Sequence, residues 1–218
     1  MPEIFQGERG PDQGGCFLYS RHFNPTVDVL SRYLAAMEGT ESAICTASGM
    51  SAISCTILQL CHSGDHVIAS DTIYGGSHAL FAELLPQLNI STTFVDITDA
   101  EAVAAAFTEK TKVVYTETFG NPTLRVADIP SLAEIAHHKG AALVVDNTFS
   151  PLIISPAMLG ADVVIYSMTK FINGARDVIA GAICARREVV LQLMDLHTGR
   201  VLLLGPGSWY QSCLSALR

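Results

Sequence analysis

The sequence is poor in positive charge. Its 218 residues include 13 lysines and arginines against 21 aspartates and glutamates, which gives a formal net charge of −8. No segment concentrates the few positive charges into a basic block. Proteins that bind nucleic acids or acidic membranes rely on such blocks, because phosphate groups dominate their binding free energy. Neither kind of partner is therefore expected.

Long apolar runs are also missing. No stretch approaches the ~18 consecutive apolar residues of a membrane-spanning helix, and the segment MPEIFQGERG has no basic part followed by an apolar core. We therefore expect a cytoplasmic protein. Hydrophobic residues make up 49% of the chain and charged residues 16%, so a globular protein with much buried surface is favoured over a disordered one.

Metal-binding and disulfide patterns are absent as well. His62 and His66 have the i, i+4 spacing of metal ligands on a helix, but the Gly64 and Asp65 between them indicate a turn. We expect no metal. The six cysteines contain no CxxC pair, so we interpret them as free thiols in the core. They are Cys16, Cys45, Cys55, Cys61, Cys184 and Cys213.

The chain does contain a regular alternation of apolar runs and amphipathic segments. After a Gly- and Pro-rich arm, the spacing of Leu30, Tyr33, Leu34 and Met37 predicts a helix from Thr26. Further helices are predicted over 49–61, 77–85, 100–107 and 130–139, and strands at SAICTAS, HVIAS, TTFVD, KVVYTET, ALVVDN, DVVIYS and VIAGAICA. Apolar strands separated by helices predict an α/β fold with a mostly parallel, seven-stranded sheet flanked by helices.

Polar side chains follow several of the predicted strands. In sheets of this kind, ligands bind at the carboxyl ends of the strands. The residues at these ends are Ser48, Asp71, Tyr74, Asn121, Asp146, Ser167 and Thr169. We expect them to converge on one edge of the sheet and to form a binding site there.

Lys170 lies between the apolar runs DVVIYSMT and DVIAGAICA, where an unpaired ammonium group would be costly to bury. A lysine in an apolar site has a lowered pKa and can condense with an aldehyde. The common aldehyde cofactor is pyridoxal 5′-phosphate (PLP). PLP requires an acidic partner for its ring nitrogen, donors for its phosphate and a flat group over its ring.

Residues at or after the ends of the predicted strands can meet these three requirements. Asp146, at the end of a buried strand, can serve as the acidic partner. The Ser48-Gly49-Met50 turn opens a helix, and its N–H groups and positive dipole end suit a phosphate. The hydroxyls of Ser167 and Thr169 add to that phosphate site, and Tyr74 provides the flat group.

Several motifs together resemble a known family. YSRHFNPT, TASGMSAI, IYGGSHALF, ETFGNPT, VVDNTFSP and SMTKFINGARDVIAG are similar to motifs of the cysteine/methionine-metabolism family of PLP-dependent (trans-sulfuration) enzymes. The similarity extends from about Tyr19 to Pro206. It implies the large domain of an aminotransferase-like enzyme of fold type I, with PLP as cofactor.

The resemblance also implies roles for single residues. Lys170 would form the Schiff base with PLP and move protons, and Asp146 would pair with the ring nitrogen. Tyr74 would stack on the ring and act as acid and base toward the leaving group, with Asn121 near the ring oxygen. The phosphate would be held by Ser48, Gly49, Met50, Ser167 and Thr169.

The YSR motif implies a partner subunit. In the family, its Tyr and Arg reach the phosphate of a neighbouring subunit's cofactor. Tyr19 and Arg21 therefore imply a homodimer or homotetramer with shared active sites.

Within the family, Gly76 stands as in plant-type methionine γ-lyases and in several synthases. The segments TTFVDITDAEAVAAAF and MDLHTGRVLLLGP are most similar to plant-type and related bacterial methionine γ-lyases. The implied reaction is γ-elimination of methionine to methanethiol, 2-oxobutanoate and ammonia. Cystathionine γ-synthase, cystathionine γ-lyase and O-acylhomoserine sulfhydrylase activities are alternatives. A PLP-binding fragment without catalytic activity is another.

The sequence departs from the family pattern at three places. Tyr166 stands where His is common, and residues 174–177 are Gly-Ala-Arg-Asp in place of a Gly-His-Ser-Asp-like segment; we expect both to affect substrate contacts. The resemblance implies a small carboxy-terminal domain that holds the substrate carboxylate, and we expect the tail GPGSWYQSCLSALR to stand in its place. We therefore predict an arm over 1–25, a PLP-binding domain over 26–204 and an atypical tail over 205–218.

Overall fold

The computed structural model describes residues 24–200 of the chain, with side chains as far as residue 193. Cys16, Tyr19, Arg21 and Cys213 lie outside the described residues, as do nearly all of the predicted arm and the whole of the predicted tail. The division into arm, domain and tail therefore stays a prediction. Within residues 24–200, no helix combines the length and the apolar character needed to cross a membrane.

The described helices begin and end close to where the sequence pattern predicts. In the first of them, the Asn24 side chain accepts the N–H of Thr26, Pro25 takes the first position, and Gly39 ends the helix with φ of +77°. The helices are α1 (Pro25–Glu38), α2 (Gly49–Leu60), α3 (Gly75–Ala79), a π-helical turn (Leu80–Leu84), α4 (Leu85–Gln87), α5 (Ala100–Ala105), α6 (Ile129–His138), a 3-10 turn (Ala157–Leu159) and α7 (Arg187–Arg200).

The segment predicted as one helix over 77–85 is longer and is divided by the π-helical turn into α3, the turn and α4. Pro86 has no N–H to donate to the carbonyl of Ala82, so a regular α-helical pattern cannot continue through it. The spacing of apolar residues predicts that a helix is present, but it does not show how Pro86 changes the hydrogen bonds of that helix.

Seven strands form a single sheet in the order β1-β7-β6-β5-β4-β2-β3. The strands are β1 (Ser42–Thr46), β2 (His66–Ser70), β3 (Ser91–Val95), β4 (Thr111–Glu117), β5 (Ala142–Asp146), β6 (Val163–Ser167) and β7 (Gly181–Ala185). Neighbouring strands from β6 to β3 run parallel, which confirms the prediction of a mostly parallel sheet flanked by helices.

Strand β7 runs antiparallel to both of its neighbours, β1 and β6. Parallel strands need a crossover connection, usually a helix. The link between β6 and β7, residues 168–180, contains only turns and irregular backbone. The chain therefore turns back on itself at the edge where β6 ends, and this turn includes Lys170.

Each face of the sheet is covered by its own helices. One hydrophobic core contains Ala52 and Ile57 of α2, Phe81 of the π-helical turn and Val190 of α7, and we call this side of the sheet the α2 face. The opposite core contains Leu30 of α1 and residues of α5 and α6, and we call that side the α1 face. Side chains alternate along the strands, so residues two apart lie on the same face.

Tyr166 lies on the α1 face and is almost completely buried. Its hydroxyl donates to the carboxylate of Glu38 and accepts a hydrogen bond from Nδ2 of Asn147 at 3.0 Å. The same carboxylate accepts bonds from Oγ of Ser155 and from the N–H of Ala157, both at 3.0 Å. Burial nevertheless raises the pKa of Glu38 above its ordinary value.

This position contradicts one prediction. Tyr166 was expected to affect substrate contacts, but it faces away from the side of the sheet on which its neighbour Ser167 lies. Because adjacent strand residues point to opposite faces, Tyr166 contributes to a buried hydrogen-bond network and not to the predicted site. The expectation is therefore wrong.

Replacing Tyr166 with Phe removes the hydroxyl that bonds Glu38 and Asn147 while keeping the ring. We expect Tyr166→Phe to lower the free energy of unfolding by about 1–3 kcal/mol, since buried polar partners lose a hydrogen bond. Urea denaturation measures this change. Tyr33→Phe is the matched control, because Tyr33 is 62% exposed. Equal unfolding free energies for the two variants would show that the network contributes little to stability.

Candidate active site

The carboxyl ends of β4, β5 and β6 place three polar side chains on the α2 face. Glu117, the last residue of β4, lies directly opposite Asp146, the last residue of β5, and Asp146 lies opposite Ile165. Ser167 follows Ile165 by two residues and therefore points to the same face. The predicted residues Asp146 and Ser167 thus meet at one edge, together with Glu117, which was not predicted.

The amino terminus of α2 forms one corner of this edge. Oγ of Ser48 accepts the N–H of Ser51 at 3.0 Å, so Ser48 caps the helix. The N–H groups of Gly49 and Met50 have no hydrogen-bond partner among the described residues. Unpaired N–H groups at the positive end of a helix dipole favour an anion such as a phosphate.

Two glycines allow this corner to lie against the sheet. A Cβ added at Gly49 would lie 2.6 Å from Cβ of Ser167, and one added at Gly181 would lie 2.2 Å from the carbonyl oxygen of Ser48. Neither distance is possible for real atoms, so only glycine fits at both places. Gly181 was not predicted as a site residue, although a glycine inside a strand often marks a close backbone approach.

Asp146 is held by a residue that the sequence analysis also missed. Oδ1 of Asp146 accepts the N–H of Thr148 at 2.9 Å and its hydroxyl at 2.5 Å. The same hydroxyl oxygen accepts the N–H of Ser167 at 2.8 Å. Thr148 therefore connects the carboxylate to the corner at α2. An Asp that accepts the backbone N–H two residues further on is a known turn pattern, and it could have indicated the bond from the N–H of Thr148.

The charge on Asp146 is not neutralised by any described residue. Burial raises the pKa of its carboxyl above the ordinary value. Oδ2 makes no hydrogen bond to the described part of the chain. A cationic N–H donor at Oδ2 would favour the ionised form of the carboxyl, and the ring nitrogen of PLP is a donor of this kind.

Tyr74 lies at the start of α3, with its side chain about half exposed. Its ring extends over Gly76, because a Cβ added at Gly76 would lie 2.6 Å from Cε1 of Tyr74 and 3.3 Å from Sδ of Met50. The aromatic ring is therefore next to the α2 corner. The backbone N–H of Tyr74 donates to Oε1 of Glu117 at 2.7 Å.

Asn121 follows β4 and is partly buried. Its backbone N–H donates to Oε2 of Glu117 at 2.9 Å. Burial is the main cause that raises the pKa of Glu117 to about 7, with the nearby Asp146 adding to the effect. The sequence placed Glu117 inside a predicted apolar strand, KVVYTET, and gave no sign that its side chain would be at the site.

Lys170 lies in the turn after β6, where its N–H donates to the carbonyl of Ser167 at 3.1 Å and its carbonyl accepts the N–H of Gly174 at 2.8 Å. Its side chain is exposed. The expectation of a lysine in a largely apolar setting is therefore wrong in this structure. The two apolar runs around it belong to β6 and β7, and the chain reverses between them at the edge of the sheet.

The hydroxyl of Thr169 already has partners. It donates to the carbonyl of Ala180 at 3.2 Å and accepts the N–H of Ala180 at 3.1 Å. Thr169 thus attaches the turn to the segment before β7. Its predicted contact with a phosphate, like the predicted substrate contacts of residues 174–177, stays a prediction.

Asp71, another residue of the predicted binding edge, lies exposed after β2.

Other predictions concerned metals and cysteines. Asp65 accepts the N–H of His62 at 2.7 Å, which confirms the turn there. No group of His, Cys, Asp or Glu in the described range has the arrangement of a metal site. The four cysteines that the structure describes are free and buried, which confirms the interpretation for Cys45, Cys55, Cys61 and Cys184.

The residues at this edge fit the chemistry of PLP. The free N–H groups of α2 suit the phosphate, Oδ2 of Asp146 suits the ring nitrogen, and Tyr74 and Lys170 provide an aromatic ring and an amine. A mostly parallel sheet with these groups at the carboxyl ends of its strands is consistent with the large domain of PLP-dependent enzymes of the aminotransferase-like fold type I.

Comparisons with known proteins identify the family. A family model described as "Cys/Met metabolism PLP-dependent enzyme" matches residues 4–209. Methionine gamma-lyase of Arabidopsis thaliana is 58% identical over 208 residues, which cover 94% of this chain and 47% of that protein. L-methionine gamma-lyase of Fusobacterium nucleatum subsp. polymorphum is 42% identical over 200 residues, which cover 89% of this chain and 50% of that protein.

A relative with a different named activity also matches. O-succinylhomoserine sulfhydrylase of Pseudomonas aeruginosa is 42% identical over 178 residues, which cover 81% of this chain and 44% of that protein. The chain belongs to the Cys/Met-metabolism family of PLP-dependent enzymes. It spans about half the length of the curated relatives it matches.

A side chain at Gly76 would displace the ring of Tyr74. We expect Gly76→Ala to weaken PLP binding roughly two- to tenfold, the range of one aromatic stacking contact. Titration of the cofactor-free protein with PLP, followed by absorbance, measures the change. Gly75→Ala is the matched control, because no atom lies within 4 Å of a Cβ added at Gly75. Equal weakening by both variants would argue against a specific role for the ring of Tyr74.

The raised pKa of Glu117 predicts a pH dependence of stability. The folded pKa of about 7 lies above the ordinary value of 4.5, so between these values the folded protein binds more protons than the unfolded chain. The free energy of unfolding of the cofactor-free protein should therefore fall as pH rises from about 4.5 to about 7, by up to roughly 3 kcal/mol.

Urea denaturation at pH 5, 6 and 7 tests this slope. Glu117→Gln should remove the contribution of Glu117 to the pH dependence of the free energy of unfolding. The contribution of Asp146, whose raised pKa acts in the same direction, should stay. An identical slope in the wild type and in Glu117→Gln would show that the Glu117 carboxyl titrates as it does in water.

Proposed function

We propose that the chain carries the cofactor domain of a carbon–sulfur lyase that cleaves methionine by γ-elimination to methanethiol, 2-oxobutanoate and ammonia. The observation that supports this most strongly is the identity of 58% to the plant methionine gamma-lyase, against 42% to the sulfhydrylase. Two of the relatives, at 58% and 42% identity, carry the name methionine gamma-lyase, and this supports the lyase reaction.

PLP, when bound, withdraws electrons from an attached amino acid and makes its Cα–H acidic. Asp146 would accept the N–H of the ring nitrogen at Oδ2 and keep that nitrogen protonated. Lys170 would hold the cofactor covalently through Nζ and, once released by the substrate amine, would take the Cα proton at the same atom. The exposed turn around Lys170 gives Nζ the freedom to do both.

Tyr74 would act on the leaving group. Its ring would cover the cofactor ring, and its hydroxyl would give a proton to the departing sulfur so that it leaves as a thiol. Asn121 would lie beside the ring oxygen. Tyr74 follows β2 and Asn121 follows β4, and both strands belong to the sheet in which Asp146 ends β5. The sheet therefore sets the relative positions of the three residues.

The phosphate would bind at the amino terminus of α2. The N–H groups of Gly49 and Met50 and the hydroxyls of Ser48 and Ser167 would donate to it. Thr169 would contribute at the turn. Tyr19 and Arg21 would reach the phosphate of a neighbouring subunit, in a homodimer or homotetramer located in the cytoplasm.

Two alternatives remain distinct from this proposal. A trans-sulfuration or sulfhydrylation activity is favoured by the 42% identity to the O-succinylhomoserine sulfhydrylase. A subunit that binds PLP without turnover is the second alternative, because the same residues would hold the cofactor in either case. The residues that bind PLP do not separate these alternatives, because all of them need the same cofactor.

Purified protein incubated with PLP and methionine should release methanethiol and 2-oxobutanoate. Cystathionine, and O-acylhomoserine with a thiol, are tested in parallel. Lys170→Ala is expected to abolish product formation, since both the covalent attachment and the proton transfer are lost. Turnover of cystathionine or the homoserine ester alone would reject the methionine lyase in favour of trans-sulfuration.

Absorbance spectra separate an enzyme from a binding subunit. The wild type with PLP should show an absorbance band that shifts when methionine is added, and borohydride reduction followed by peptide mass spectrometry should place the cofactor on Lys170. A band that methionine leaves unchanged, with no product, would support the subunit without turnover. Absence of any band would reject the proposed site.

A further inference from the structure

Two loops at the carboxyl edge of the sheet carry Tyr74 and Asn121. The first follows β2 and the second follows β4. Glu117, at the end of β4, lies between them and uses one carboxylate oxygen for each: Oε1 accepts the N–H of Tyr74 at 2.7 Å and Oε2 accepts the N–H of Asn121 at 2.9 Å. One buried side chain therefore fixes the backbone of both loops.

The other contacts between these loops are weaker or less direct. A Cβ added at Gly120 would lie 2.8 Å from the carbonyl oxygen of Thr72, so the two backbones pack closely without a bond between them. Nη1 of Arg125 lies 3.6 Å from Oδ1 of Asp71. Both side chains of this ion pair are 42% exposed, and exposed pairs contribute little to stability.

We propose that Glu117 is a positioning residue that holds the main chain of Tyr74 and Asn121, and thereby sets where their side chains meet the cofactor. This inference rests on the roles proposed above for Tyr74 and Asn121. Glu117 acts through these two residues, because each of its two oxygens accepts one of their backbone N–H groups.

A carboxylate suits this position better than a neutral side chain. Both N–H groups need an acceptor, and a carboxylate offers two equivalent oxygens. A glutamine of the same size has one oxygen and one NH₂ group, so one N–H would face another donor. Burial, and after it the neighbouring Asp146, make an ionised Glu117 unfavourable. Its presence there indicates a requirement other than stability.

The test compares Glu117→Gln with Glu134→Gln. Glu134 is exposed on α6, which packs on the α1 face, so its substitution changes charge equally without touching the loops. For Glu117→Gln we expect amide exchange in residues 72–76, 119–121 and 123 to become roughly tenfold faster, as one charge-assisted hydrogen bond is lost. Exchange in β5 should stay as in the wild type.

Cofactor binding gives the second measurement. The Kd for PLP should rise roughly tenfold in Glu117→Gln and stay unchanged in Glu134→Gln. The visible circular dichroism of bound PLP, which depends on how the ring is held, should also change only in Glu117→Gln. A general loss of stability would not by itself alter this signal in protein that remains folded.

A folded Glu117→Gln protein with wild-type exchange in both loops, or with wild-type Kd and circular dichroism, would overturn the proposal. If Glu117→Gln does not fold, Glu117→Asp keeps the charge but shortens the side chain, and an unchanged Kd for PLP in that variant would overturn it equally. A wild type that binds no PLP would instead reject the proposed function, so the two failures are distinguishable.

Discussion

The close packing of the amino terminus of α2 against the ends of β6 and β7 determines the rest of the site. Gly49 and Gly181 make this packing possible, because a methyl group at either position would collide with Ser167 or with the backbone of Ser48. The approach brings the free N–H groups of the helix beside the last residue of β6. The amino terminus of α2 then lies at the carboxyl edge of the sheet, and the loops that follow the neighbouring strands lie beside it.

Much of this architecture could be predicted from the sequence, because periodicity and apolar composition are local signals. They gave the strands and most of the helices, and the rule that ligands bind at the carboxyl ends of strands located Ser48, Asp146 and Ser167. The antiparallel direction of β7 could not be predicted in this way, since an apolar strand has the same composition in either direction.

The missed residues share a physical reason. Glu117, Thr148 and Gly181 matter through contacts with residues distant in sequence or with backbone groups, and such contacts exist only after the sheet has formed. Lys170 shows the opposite error. Its apolar neighbours in sequence suggested burial, but they pack in two strands while the lysine lies in the turn that joins them. Burial is a property of the folded chain and not of adjacent residues.

Asn147 lies between Asp146 and Thr148 and faces the other way. Its amide accepts the hydroxyl of Thr118 at 2.8 Å and donates to the hydroxyl of Tyr166, and through Tyr166 it reaches Glu38 on α1. Asp146, Asn147 and Thr148 thus connect the hydrogen-bond network on one face of the sheet with the network on the other face. The effects of substitutions at Glu38 or Tyr166 are therefore expected not to add to the effects of substitutions at the site during evolution, although the two groups of residues lie on opposite faces of the sheet.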